Sequence, residues 1–100
     1  MLRLTLISQS TLEIVVAIDG WISGEGVGLL EQEGEKWLWE TGHLVFDLEG
    51  VRFIDQAGIN LFQRWVKSEK LGLRGGAVFV QTLLAAHGLA SALPSETPGG

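Results

Sequence analysis

The chain has no cysteine in its 100 residues, which removes disulfides, thiolate metal sites and thiol nucleophiles together and fits a reducing compartment. Positive charge is also scarce. Seven Lys and Arg stand against twelve Asp and Glu, a formal net charge of -5, and the basic residues are scattered rather than clustered as phosphate binding needs. Nucleic acid is therefore not an expected partner. No apolar run approaches the roughly 18 residues of a membrane span. The start MLRLTLISQS has neither the apolar centre nor the cleavage site of a signal peptide. A cytoplasmic protein without direct membrane insertion is the expectation.

Catalytic chemistry is equally thin. His43 and His87 have no third ligand at a recognisable spacing, so no metal is expected. Gly24-x-Gly26-x-Gly28 resembles half a phosphate loop but lacks its Lys, and reads as helix-start flexibility. Ser23, Ser68 and Ser91 have no His and Asp at a spacing that makes a nucleophile. Asp47, Glu49 and Asp55 are the only carboxylates clustered near a turn. They could do acid-base work or hold a hard cation, but a strand end at Asp47 and a helix N-cap at Asp55 is the favoured reading. No catalytic residue, no cofactor and no enzyme activity are predicted.

What the chain does have is a regular alternation of patterns. Leu2, Leu4 and Leu6 alternate with Arg3 and Thr5, Ser8 to Thr11 supply turn chemistry, and Leu12 to Ile18 resume as a second strand. Asp19-Gly20 ends or bends it, and Ser23 is the expected N-cap of a helix with Glu25 in its first turn. Val27, Leu30, Trp37 and Leu38 recur near helical spacing there, although Gly24, Gly26, Gly28 and Gly34 weaken the helix. His43 to Leu48 reads as an inner strand, apolar on both faces, followed by a loop Glu49 to Arg52.

A second helix is predicted from Asp55 or Gln56, with Ile59, Phe62 and Val66 in one stripe, Leu61 and Trp65 in the next, and a stop at Gly72. Ala77 to Val80 reads as a short buried strand, and Leu83 to Leu93 as a last small helix. One domain over residues 1–93 is expected. The tail 94–100 is polar, Pro and Gly rich, and predicted to be disordered. Of the four tryptophans, Trp37 and Trp65 fit core positions, while Trp21 and Trp39 are harder to bury, Trp39 being the main candidate for an exposed contact.

The segment LVFDLEGVRFIDQAGINLFQRW, Leu44 to Trp65, joins an apolar strand to an Asp-x-x-Gly turn and a helix. It resembles the central signature of STAS domains, the small regulatory fold of anti-sigma factor antagonists. The order β-β-α-β-α-β-α over roughly residues 2–93 matches as well. The resemblance implies an α/β fold, a mixed four-stranded sheet with helices packed mainly on one face. In that family the turn reads Asp-Ser-x-Gly or Asp-Thr-x-Gly, and its hydroxyl is phosphorylated by a partner kinase. Here it reads Asp55-Gln56-Ala57-Gly58. Gln56 replaces the phosphoacceptor, and Ser23 stands where an acidic residue is usual, so phosphorylation is not expected.

The docking surface implied by the family comprises Ser23, Asp55, Gln56, Ala57, Gly58, Asn60 and Gln63, with Gln56, Asn60 and Gln63 as an exposed stripe. The implied partner is a protein: an anti-sigma-type kinase, a stressosome-like scaffold or the ATPase of a phospholipid-trafficking ABC transporter. A small-ligand-sensing module on the same fold is the alternative.

Overall fold

The computed structural model describes residues 2–89. Four strands and three helices follow in the order β1 (Leu2–Gln9), β2 (Ile14–Ile22), α1 (Glu25–Thr41), β3 (Leu44–Ile54), α2 (Gln56–Lys67), β4 (Leu71–Arg74) and α3 (Val78–Ala86). The strands lie side by side in chain order. β1 and β2 form an antiparallel hairpin, whereas β2–β3 and β3–β4 are parallel, each crossover being made by one helix. This is the element order read from the sequence pattern and the mixed sheet that the resemblance implies.

Alternation along the strands decides where the core sits. Ile14, Val16 and Ile18 of β2, Leu44, Phe46 and Leu48 of β3, and Leu71 and Leu73 of β4 are buried and turned to the helices. Leu30 and Leu38 of α1, Ile59, Phe62 and Trp65 of α2, and Val80 and Leu84 of α3 pack on them. Phe46 is central. Its ring meets that of Phe62 at 5.7 Å and that of Trp65 at 6.1 Å between centroids. β3 is therefore not apolar on both faces as expected: between its core residues Asp47 points away from the core, beside its register partners Ala17 and Arg74, and pairs with Arg74 at 3.3 Å.

Close helix packing depends on a missing side chain. Gly34 of α1 is buried against Trp65, and a Cβ there would fall among the indole atoms, 3.0 Å from Cζ3 and 3.1 Å from Cζ2. The indole N–H then donates to Glu35 at 3.1 Å. Trp37 is half-buried at the edge of the core, while Trp39 is 91% exposed.

Several boundaries differ from the expectations. The expected loop Glu49 to Arg52 belongs to β3, which continues to Ile54 through register irregularities opposite Asp19 and Trp21. α2 ends at Lys67 on Ser68 rather than at Gly72, which lies inside β4. The last strand is Leu71–Arg74 and not Ala77–Val80. The left-handed pair Gly75 and Gly76, φ 70° and 101°, turns the chain so that Val78, Phe79 and Val80 open α3 instead. The expectations for 94–100, and for the helix beyond Leu89, lie outside the described residues. Among the described residues no helix is long and apolar enough to cross a membrane.

Candidate functional site

Parallel strands β2 and β3 stop together, Ile22 beside Ile54, and both chains then turn upward into α1 and α2. Asp55 sits between the two turns. Its backbone N–H donates to the Ile22 carbonyl at 2.9 Å, extending the strand pairing by one step. One carboxylate oxygen accepts the Gly58 N–H at 2.8 Å, and the other accepts the Gly24 N–H at 3.1 Å. The first bond is the expected N-cap of α2, supported by the extended backbone of Asp55 at φ -87° and ψ 178°. The second joins the start of α1 to the same side chain.

That second bond explains why Ser23 is not the N-cap of α1. The cap position is Gly24, at φ 55°, and it carries no side-chain cap bond of its own. Ser23 is half-buried just before it and lends only its backbone carbonyl, to the Gly26 N–H at 3.0 Å. The negative charge of Asp55 thus lies close to the first turns of both helices, where the helix dipoles favour an anion.

The rest of the Asp55-Gln56-Ala57-Gly58 turn divides cleanly. Gly58 is buried, and a Cβ on it would lie 2.8 Å from Ile22 Cγ2 and 2.9 Å from Ile54 Cγ2, so the helix can approach the strand ends only with glycine here. Gln56 and Ala57 are exposed. The Gln56 amide donates to the Asn60 side chain at 2.9 Å, one turn along the exposed side of α2. Gln63 does not complete the expected free stripe. It is half-buried, and its amide donates to the His87 carbonyl at 2.8 Å, tying α2 to the end of α3.

The carboxylates considered as a cluster are used separately. Asp47 pairs with Arg74 and accepts the Glu49 N–H at 3.0 Å, whereas Asp55 is committed to the two helix starts. Among the described residues no group of three or more His, Asp or Glu comes together as a metal site.

Beside the turn lies a feature that sequence reasoning did not assemble. Trp21 and Phe53 are register partners near the ends of β2 and β3, and with Ser23 and Arg52 they line an open groove of about 600 Å³. Trp21 alone was conspicuous as hard to bury. Phe53 was hidden by the reading of its neighbours as a loop, and the pairing across 32 residues had no local signal.

A parallel strand pair ending in an Asp-capped Asp-x-x-Gly turn is matched by one family model, the STAS domain, over residues 5–85. The chain belongs to the STAS domain family. Solved structures share its fold at low identity. The anti-sigma factor antagonist SpoIIAA in its unphosphorylated form aligns over 97% of this chain and 90% of its own, with 14% identity and a TM-score of 0.77. An anti-sigma factor antagonist from Mycobacterium paratuberculosis gives 19% identity, 94% and 84% coverage, and a TM-score of 0.78. The Bacillus cell fate determinant SpoIIAA in its phosphorylated form gives 13% identity, 97% and 94% coverage, and a TM-score of 0.70. No curated protein sequence matches this STAS chain.

Proposed function

We propose that this STAS domain is a non-catalytic regulatory module that docks on a partner protein through the Asp55 turn and the exposed side of α2, without a phosphorylation switch. The observation that carries this reading is the division of labour within the turn. Asp55 and Gly58 are spent on holding the backbone, which leaves Gln56, Ala57 and Asn60 as an outward-facing surface with no ionisable group and no hydroxyl. A carboxamide at position 56 is not a phosphoryl acceptor, and it lacks the charge of roughly -1.5 to -2 that a phosphate brings to a helix N-terminus. The partner held through one state of such a surface is an anti-sigma-type kinase, a stressosome-like scaffold or a transporter ATPase. The likeness to anti-sigma factor antagonists supports the first of these. Residues 1–93 form the working unit, acting in the cytoplasm.

The test is Asn60→Glu. Asn60 is exposed and, among the described residues, its only side-chain bond is to Gln56, so the substitution changes stability by under about 0.5 kcal/mol. A charge left uncompensated in an interface costs several kcal/mol. Affinity for the partner recovered by pull-down should fall at least about tenfold while the melting temperature holds. Unchanged affinity moves the interface away from α2. In parallel, incubation with ATP and an anti-sigma-type kinase should leave the mass of residues 51–64 unchanged.

A further inference from the structure

The ends of β2 and β3 expose more aromatic surface than the turn needs. Trp21 is 56% exposed and Phe53 49%. Arg52, which also lines this groove, borders a second hollow of about 250 Å³ with Glu49, Ala77 and Phe79, and Phe79 is 54% exposed. Three large exposed aromatic side chains thus line the two hollows that Arg52 shares. Contiguous apolar surface of this kind marks interaction sites, and Trp and Arg are the residues on which interface affinity most often rests.

Charge identifies the occupant. Among the described residues the ion pairs are Lys36–Glu33, His43–Glu13, Arg64–Glu31 and Arg74–Asp47, and none uses Arg52. The other groove walls, Trp21, Ser23 and Phe53, are neutral. Glu49 shares the second hollow with Arg52 but forms no ion pair with it. In a chain of net charge -5, a cation with no ion-pair partner among the described residues, beside an aromatic shelf, is complementary to an acid from outside.

We propose that the Trp21–Ser23–Arg52–Phe53 groove seats a segment of the partner protein that presents a carboxylate beside a large apolar side chain. The apolar group lies on Trp21 and Phe53, and the carboxylate takes the guanidinium of Arg52 with two parallel N–H···O bonds. This rests on the docking reading above and names the chemistry of the partner: acidic and amphipathic, engaged next to the Asp55 turn.

Three synthetic amphipathic peptides test it, identical in their Leu and Trp positions and carrying Glu, Gln or Lys at the remaining ones. Titrated into the full chain and followed by amide chemical shifts, the Glu peptide should bind at least about tenfold tighter than the Gln peptide, with the Lys peptide weakest. The shifts should centre on Trp21, Arg52 and Phe53. Arg52→Glu should invert the order, Trp21→Ala should abolish binding, and both side chains are exposed enough to change without unfolding the domain. If Arg52→Glu does not fold, Arg52→Gln should level the Glu and Gln peptides.

Equal binding of the three peptides, preference for the Lys peptide, no binding of the Glu peptide at millimolar concentration, or shifts centred on Trp39 would overturn the proposal. So would self-association in sedimentation that Arg52→Glu abolishes, since the groove would then belong to a second copy. Failure here is separable from failure of the docking reading. If Asn60→Glu weakens the recovered partner while Arg52→Glu alters no preference, the α2 surface stands and the groove does not.

Discussion

The Asp55 carboxylate bonds two backbone N–H groups that lie 34 residues apart, Gly24 and Gly58. Each such bond is worth about 1 kcal/mol, so Asp55→Ala should lower stability by about 2 kcal/mol. Asp55→Asn keeps a single acceptor oxygen and should lose about half as much; a urea series on the three proteins checks the order. The cap on α2 was legible from Asp followed by an apolar periodic run. The bond to Gly24 was not, because only the parallel pairing of β2 with β3 brings the two turns together. The α1 glycines carry a similar lesson, since composition alone counts them all as weak points. Gly28 has open space around a built Cβ, and Gly28→Ala should stabilise by about 0.5–1 kcal/mol through helix propensity. Gly34→Ala gains the same propensity but drives a methyl into Trp65, and should cost about 1–2 kcal/mol net. Urea midpoints moving in the same direction for both would show that Trp65 does not seat on Gly34.

Of the elements, α3 has the least local support. It is nine residues long, Ala77 at its N-cap offers no side-chain bond, and only Val80 and Leu84 of its side chains are buried. Ala77 already has the extended backbone of a capping residue, φ -62° and ψ 159°, so Ala77→Ser should stabilise by about 0.5–1 kcal/mol. Hydrogen exchange should show slower exchange in α3 of the variant, with α2 unaffected. This end of the chain was also the least legible. Ala77 to Val80 is a short apolar run that periodicity cannot assign to strand or helix, and Gly72 hides a strand because glycine has low strand propensity. The true strand is marked instead by what faces it: Leu71 and Leu73 pair with Leu44 and Phe46 of β3 and share their burial. β1 and α2 declared themselves through clean two-residue and 3.6-residue patterns, whereas β2 showed as a β-branched apolar run and α1 only as a near-helical spacing weakened by glycines.

At the scale of the whole molecule, Leu89 is the last buried core side chain among the described residues. The segment from Ser95 carries no large apolar residue, so truncation after Pro94 should leave the melting temperature within about two degrees. A fall of several degrees, on the order of 1 kcal/mol for a domain of this size, would show that the tail packs. The element order and the motif turn made the overall fold readable in advance. The aromatic groove was not, because it is assembled by strand pairing rather than by any run of sequence. Position 56 has a different consequence. Gln56 is exposed and, among the described residues, its one side-chain bond is to the neighbouring Asn60, whereas Asp55 and Gly58 are fixed by geometry. On the proposed docking reading, architecture and regulation are thus separable at a single codon: a lineage could discard a hydroxyl switch there, or recover one, and the fold would keep no record of the exchange.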